Sequence, residues 1–285
     1  MLNYIDILLI ITTISLGILK IGQKWISQYF EADTISYFIQ YVSVICLIPV
    51  FLFFVKFTFT FSLFNIVLVI IAGTSWYIGS LITNRSIKAT DLTLREPILS
   101  TRTIFVLLFS ALFLKEHVSL FEYIGGSLIV IGSIISSLKE KVDYKNLKTD
   151  GLFLSFLAAF LVAISYTFDK YALNFIDVLP WVFMMYLVPL LLLLPKTNKT
   201  WLDIKDKPKK KVLSLIVLVI LVSIGYISLI FIFSKTDLSK SFPISQLSSV
   251  IVFLGGLYLG ERNSIRYRIL GSIIAIIGGV IIFLN

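Results

Sequence analysis

Side chains that carry enzyme chemistry are scarce in this sequence. It has one cysteine, Cys46, and one histidine, His117, among 285 residues. A lone cysteine excludes an intramolecular disulfide, and a single histidine in a predicted loop makes a poor metal site. The sequence also lacks the HExxH motif of zinc proteases, the GxSxG nucleophile elbow and the Walker A lysine motif. We therefore expect no enzyme activity, no cofactor and no ATP hydrolysis in this chain.

Charged residues are scarce as well. They make up 14% of the chain, whereas hydrophobic residues make up 58%, a composition too apolar for a soluble domain. A transmembrane helix needs about 20 mostly apolar residues, and we predict ten of them, at residues 4–25, 35–55, 63–84, 94–114, 120–138, 151–170, 178–195, 212–234, 242–260 and 265–284. A membrane β-barrel is excluded because stretches such as LSLIVLVILV are apolar on every side.

The predicted fold is therefore an all-α integral membrane protein with ten transmembrane helices, and we place it as a multi-pass protein in the prokaryotic cell (inner) membrane. The net charge of +9 comes from lysines and arginines that lie mainly in alternate loops. The positive-inside rule assigns those loops to the cytoplasm and both termini to the outside. Because the charge is explained by orientation, we expect a lipid bilayer around the protein and no nucleic-acid partner.

An internal duplication is visible in two stretches that match in one register. ATDLTLREPI and KTDLSKSFPI are separated by an offset of 146 residues, and the same offset pairs Gly79 with Gly225. Polar and proline matches in one register are typical of a duplicated unit. We predict two five-helix repeats, residues 1–146 and residues 147–285. Because five is odd, the repeats enter the membrane from opposite sides, and such inverted repeats suit transport by alternating access.

Each predicted repeat ends in a segment of a known kind. EPILSTRTIFVLLFSALFLKEHVSLFEYIGGSLIVIGSII and FPISQLSSVIVFLGGLYLGERNSIRYRILGSIIAIIGGVII both have a proline that opens a helix, a glutamate that ends it (Glu116 and Glu261) and glycines in the next helix. Both segments resemble the EamA-type unit of the drug/metabolite transporter superfamily. The resemblance implies a central cavity between the two halves and a carrier of metabolites, amino acids or drug-like solutes. The ten-span relatives tend to keep both termini in the cytoplasm, so the absolute orientation stays open.

Arg102 is the strongest candidate ligand for a substrate. It lies near the middle of the fourth predicted span, where a charge costs at least about 2.5–3.5 kcal/mol and usually faces the protein interior. In a cavity it would favour an anionic or zwitterionic substrate. The alternative is a structural ion pair with Glu96 or Asp169. Glu96 itself precedes Pro97, where we expect the helix to start or bend.

Further candidates come from polar and aromatic residues within spans. Trp76 and Tyr77 lie in mid-span among small hydroxylated residues, away from the interfacial belts that Trp and Tyr usually occupy. Asp169 is either a proton or cation site or an interfacial residue neutralised by Lys170 or Arg102. Lys20 we interpret as an interfacial residue that snorkels, with an inward, cationic position as the alternative. The predicted substrate-binding residues are Arg102, Glu96, Trp76, Tyr77, Tyr166, Asp169, Tyr226 and Gln246.

These observations favour a secondary transporter that moves a small organic solute, with a proton or cation as a possible coupling ion. A flippase for a lipid-linked sugar has the same architecture and remains an alternative. An intramembrane enzyme is disfavoured because no histidine lies in a span, and a channel is disfavoured because polar residues differ between the halves. The oligomeric state is a monomer or a homodimer.

Overall fold

The computed structural model describes residues 4–54, 62–89, 92–138, 149–258 and 265–285, and every regular element within these ranges is a helix. The helices are α1 Tyr4–Ile26, α2 Ala32–Phe54, α3 Leu63–Ala89, α4 Leu92–Ser100, α5 Arg102–Phe109 with a π-helical turn Ser110–Leu114, α6 Leu120–Ser137, α7 Thr149–Ala172, α8 Val178–Leu193, α9 Thr197–Lys205, α10 Lys209–Lys235, α11 Leu238–Ser245, α12 Ser248–Tyr258 and α13 Ile265–Leu284.

Ten apolar crossings account for almost all of these helices. Seven described helical stretches are each long and apolar enough to cross a membrane, and two shorter apolar helices cover Leu120–Ser136 and Ile269–Leu284. The remaining crossing consists of α11 and α12. The all-α, ten-helix prediction is thus confirmed, with one addition. The segment expected to be a loop after the seventh span contains α9, whose Trp201 packs edge-on against Phe38 at 5.8 Å.

The two repeats make equivalent contacts. Here equivalent positions are those separated by the offset of 146 residues, such as α1 and α7 or α3 and α10. Gly79 of α3 approaches Val162 of α7, and a Cβ atom added to Gly79 would lie 3.5 Å from the side chain of Val162. Gly225 of α10 approaches Leu16 of α1 in the same way, at 3.4 Å. The same helix contact therefore occurs twice, related by approximate twofold symmetry.

Helices α6 and α13 show that the repeats are inverted. Gly125 and Gly132 of α6 lie against Gly278 and Gly271 of α13, respectively, with direct backbone contact. From Gly125 to Gly132 the residue numbers of α6 increase, whereas those of the contacting glycines in α13 decrease from 278 to 271. The two helices are therefore antiparallel. Equivalent helices that run in opposite directions are the signature of inverted repeats. Small residues allow this close approach.

We expect the replacement Gly132→Ala to destabilise the protein. The added Cβ atom would lie 2.6 Å from the backbone nitrogen of Ala275, and a backbone atom in a packed helix cannot move aside cheaply. Such overpacking costs about 1–3 kcal/mol. The matched control is Gly225→Ala, whose Cβ atom would make an ordinary contact. Thermal unfolding of both variants in detergent measures the difference, and equal melting temperatures would contradict the close packing of α6 on α13.

Two of the crossings are broken at equivalent places. Between α4 and α5 the amide of Thr101 donates to the carbonyl of Ile98 (3.2 Å), and between α11 and α12 the amide of Leu247 donates to that of Ile244 (3.0 Å). We predicted that the helix starts or bends at Pro97, and this position is wrong because Pro97 lies inside α4. The break follows one turn later, where the hydroxyl of Thr101 bonds a carbonyl oxygen and competes with helical bonding.

Glu116 joins the two repeats at the start of α11. Its carboxylate oxygens accept hydrogen bonds from the amides of Leu238 and Ser239, both at 2.9 Å. A carboxylate is stabilising at a helix N-terminus because it satisfies free amides and complements the helix dipole. Glu116 therefore has a structural role. Its counterpart Glu261 lies outside the described residues.

Candidate functional site

A cavity of about 160 Å³ lies between the two repeats. Its lining follows the approximate symmetry of the fold, because most lining residues occur as pairs of equivalent positions. These pairs are Leu16 and Val162, Lys20 and Tyr166, Trp76 and Val222, Ser80 and Tyr226, Thr83 and Leu229, Leu99 and Ser245, and Arg102 and Ser248. The cavity is therefore centred on the pseudo-twofold axis, although the paired side chains differ in chemistry.

The first repeat contributes a cationic cluster, which consists of Lys20, Arg95, Glu96 and Arg102. Lys20 Nζ lies 2.9 Å from Glu96 Oε2, and the Arg95 guanidinium lies 2.9 Å from Glu96 Oε1. Arg95 Nε also donates to Ser86 Oγ at 2.8 Å. Glu96 and Arg95 are almost completely buried, at 1% and 2% exposed. The Glu96 carboxylate thus pairs with both Lys20 and Arg95. Because Arg102 adds a third cation, the cluster has a net positive charge.

Lys20 does not snorkel to the interface, and that interpretation of the sequence is wrong. Its ammonium lines the cavity and donates to Ser248 Oγ of the second repeat at 3.1 Å. The physical reason is the carboxylate of Glu96, which attracts the ammonium inward. The alternative of an inward, cationic position is the one observed.

Arg102 connects α5 with the break between α11 and α12. Its Nε atom donates to Gln246 Oε1 at 2.9 Å, and its guanidinium lies 5.9 Å from the ring centre of Phe242. The Gln246 amide is oriented by a bond of 3.1 Å from its Nε2 atom to Ser245 Oγ. Arg102 forms no ion pair with any residue that the structure describes. The predicted alternative, a structural pair with Glu96 or Asp169, is therefore not observed.

Four aromatic side chains also line the cavity. Trp76 stacks on Tyr226 with ring centres 5.0 Å apart and an angle of 22° between the planes. Tyr186 meets Tyr226 edge-on at 5.6 Å, and Tyr166 lies 6.1 Å from Trp76. The indole nitrogen of Trp76 is buried and has no hydrogen-bond partner in the described part of the chain. This cluster of Trp76, Tyr166, Tyr186 and Tyr226 is called the aromatic cluster below.

Asp169 lies directly behind the aromatic cluster. Trp181 Nε1 donates to Asp169 Oδ1 at 2.8 Å, and the Tyr226 hydroxyl donates to Oδ2 at 3.1 Å. Lys170, the expected neutralising partner, instead donates to two backbone carbonyl oxygens, at 2.8 Å each. The carboxylate of Asp169 is thus held by two neutral donors, Trp181 and Tyr226.

The predicted site residues fall into three groups. Five line the cavity: Trp76, Arg102, Tyr166, Tyr226 and Gln246. Two lie one contact behind it, Glu96 behind Lys20 and Asp169 behind Tyr226. Tyr77 is outside the lining and packs against the apolar core.

Several lining residues are absent from the predicted substrate-binding set, among them Tyr186, Ser80, Ser248, Arg95 and Lys20, whose inward position was only the alternative. The internal duplication could have identified three of these lining residues. Lys20 is equivalent to Tyr166, Ser80 to Tyr226 and Ser248 to Arg102. Projecting each predicted residue onto the other repeat would therefore have found these three positions.

Comparisons with known proteins agree with this architecture. The family model described as the EamA-like transporter family matches the chain twice, over residues 3–138 and 149–284. Twenty-eight chains of solved structures match as well. One of them, a crystal structure, aligns over 96% of this chain and 96% of its own with a TM-score of 0.72 and 10% sequence identity, which shows a shared fold. No curated protein matches the sequence.

Proposed function

Because the chain belongs to the EamA-like transporter family, we propose that it is a secondary transporter that moves a small organic solute across the membrane by alternating access. The solute would bind in the cavity between the two repeats. This cavity contains buried charges and hydrogen-bonding groups, which are expensive to bury within a membrane and usually serve a substrate or ion pathway.

The observation that carries this proposal is that the cavity extends toward one end of the bundle. Gln23 and Asn84, near the ends of α1 and α3, line it. Their equivalents in the second repeat, Asp169 and Ile230, lie outside the lining. Gln23 is partly exposed, whereas its equivalent Asp169 is 1% exposed. If the two repeats exchanged conformations, this second end would open and the first would close. Exchange of this kind is how inverted repeats give alternating access.

The closed end is filled by the side chains that surround Asp169. Tyr166 contacts the rings of Phe233 and Phe242, with centres 5.7 and 5.0 Å away. Trp181 and Tyr226 hold the Asp169 carboxylate in the same layer. Opening this end requires these contacts to separate, so the layer has the position expected of a gate.

A lipid-linked sugar is the second candidate, because its acyl chain would need a lateral apolar pocket while the head group occupies the cavity. The seam between α5 and α7 contains an apolar pocket of about 490 Å³, whose lining includes Phe109, Phe160 and Tyr171. This pocket shares no lining residue with the central cavity. We therefore favour a soluble solute in the central cavity.

Asp169 is the acid best placed to carry a coupling proton. Its carboxylate is buried between two neutral donors, whereas the other acid near the cavity, Glu96, is bound by two cations. Protonation of Asp169 would weaken the acceptor that holds Trp181 and Tyr226, and so would loosen the gate layer. A proton taken up there can thereby be linked to opening of the closed end.

Cysteine accessibility tests alternating access even while the solute is unidentified. Replacing Cys46 by serine gives a cysteine-free chain, into which Asn84→Cys and the equivalent Ile230→Cys are introduced separately. A membrane-impermeant thiol reagent is then applied to intact cells and to inverted membrane vesicles. We expect Asn84→Cys to react from one side and Ile230→Cys from the opposite side, more slowly. Reaction of either variant from both sides would indicate an open pore and reject the proposal.

A further inference from the structure

We infer that the solute is an aromatic carboxylate, bound with its carboxylate on Arg102 and its ring in the aromatic cluster. This inference rests on the proposed function, since it assigns a substrate class to the same cavity. Three features of the lining lead to it: the sign of its charge, the hydrogen-bond donors that remain free, and the arrangement of its rings.

The charge of the cavity selects an anion. Lys20, Arg95 and Arg102 all line it, whereas no aspartate or glutamate is among the lining residues of the described chain. The nearest acid, Glu96, already accepts from both Lys20 and Arg95. A cationic solute would therefore enter a positive site without a counter-charge, and the ammonium group of a zwitterion would meet the same difficulty. A net anion instead supplies the charge that the site lacks.

The donors that remain free select a carboxylate. Lys20 is engaged by Glu96 and Ser248. Arg102 uses Nε for Gln246, which leaves the two terminal nitrogens of its guanidinium for a ligand. A planar pair of donors matches the two oxygens of a carboxylate. The hydrogen bond that Arg102 Nε donates to Gln246 Oε1 of the second repeat holds this guanidinium in place, so the free donors have a defined orientation.

The rings select an aromatic body. Trp76 and Tyr226 are stacked, and Tyr166 and Tyr186 extend the same surface. The cavity volume of about 160 Å³ is on the order of cavities that bind benzene. The buried indole nitrogen of Trp76 has no partner among the described residues, and an oxygen of the bound molecule would satisfy it.

Binding measurements with 3-phenylpropanoate test this inference. Three comparison compounds change one property each: 2-phenylethylammonium reverses the charge, 3-phenylpropanamide removes it, and propanoate removes the ring. Phenyl phosphate keeps the ring but replaces the carboxylate and its two-carbon linker with a phosphate, whose charge is about −1.5 to −2. Purified protein in detergent is titrated, and Kd is obtained from tryptophan fluorescence and confirmed by thermal shift. We expect 3-phenylpropanoate to bind at least about 10-fold more tightly than each comparison compound, since a hydrogen-bonded charge pair and ring burial each contribute that much.

Two variants locate the binding groups. Arg102→Gln should weaken 3-phenylpropanoate at least about 10-fold while leaving the amide unchanged. Trp76→Phe keeps a ring and removes the indole donor, so a loss of about 2–10-fold is expected. The matched control is Arg85→Gln, which removes the same charge at the surface, where Arg85 is 49% exposed and paired with Asp33. This control should leave Kd unchanged.

Several outcomes would overturn the inference. They are tighter binding of 2-phenylethylammonium or phenyl phosphate, unchanged binding of 3-phenylpropanoate in Arg102→Gln, and no binding of any compound by monodisperse protein. If Arg102→Gln fails to fold, the inference is still tested by the comparison of compounds on the native chain and by the Trp76→Phe variant. Alternating cysteine accessibility together with failed binding would reject the aromatic carboxylate and leave the transporter in place. Accessibility from both sides would reject the transporter itself.

Discussion

Replacing Glu96 with glutamine is expected to lower the free energy of unfolding by about 3–5 kcal/mol, the usual cost of removing one partner from a buried ion pair. The variant would leave Lys20 and Arg95 without their shared counter-charge. Arg95 is only 2% exposed, so water cannot replace the carboxylate that it loses, whereas Lys20 is 16% exposed and lines the cavity. Arg102 would add a third uncompensated cation beside them. Thermal unfolding in detergent measures the effect as a lower melting temperature.

The matched control for Glu96 is Asp33→Asn. Asp33 also contacts two cations, Arg85 at 3.3 Å and Lys196 at 3.0 Å, but their side chains are 49% and 33% exposed. Surface pairs of this kind contribute about 0–1 kcal/mol. The double variant Glu96→Gln with Lys20→Met should recover part of the lost stability because it removes one of the stranded charges. A Glu96→Gln protein as stable as Asp33→Asn would show that the buried cluster does not depend on its acid.

The second large effect is expected from Asp169→Ala, which removes the acceptor shared by Trp181 and Tyr226. Trp181 is 0% exposed and Tyr226 is 5% exposed. Each buried donor left without a partner costs about 1–3 kcal/mol. Because both donors lie in the layer that closes one end of the cavity, we also expect faster thiol labelling of Ile230→Cys when Asp169→Ala is combined with it.

Two controls separate this gate effect from a general loss of stability. Asp169→Asn keeps one acceptor oxygen, so its labelling rate should lie between those of the parent and Asp169→Ala. Asp237→Ala removes an exposed carboxylate that makes no capping bond to α11, and a surface change of this kind is expected to stay within about 0.5 kcal/mol. If Asp169→Ala lowers stability without increasing the labelling of Ile230→Cys, then Asp169 stabilises the bundle but does not hold the gate.

The architecture could be predicted from the sequence because membrane folds follow from local patterns. Long apolar segments fix the helices, and the repeated TDL and PI residues fix the duplication. The exact positions of the helix breaks could not be predicted in this way. Pro97 and Pro243 indicated irregular helices, but the breaks follow at Thr101 and at Gln246–Leu247, where side-chain hydroxyls and three-residue turns decide the geometry.

The candidate site was only partly accessible to sequence reasoning. Arg102 stood out because a charge in mid-span is costly wherever it points. Lys20 did not stand out, because a lysine near a helix end can reach the interface, and only the position of Glu96 in the folded bundle shows that it turns inward. Trp181 was equally hidden, since its partner Asp169 belongs to another helix.

The pairing of equivalent positions around the cavity has a consequence for how such a protein diverges after gene duplication. A dimer of two identical five-helix chains would present every lining group twice, so an asymmetric molecule could bind in two equal orientations. Here Arg102 faces Ser248, Lys20 faces Tyr166 and Trp76 faces Val222 across the symmetry, while the packing glycines Gly79 and Gly225 are retained. The lining has thus diverged between the two repeats, so an asymmetric molecule can bind in one preferred orientation.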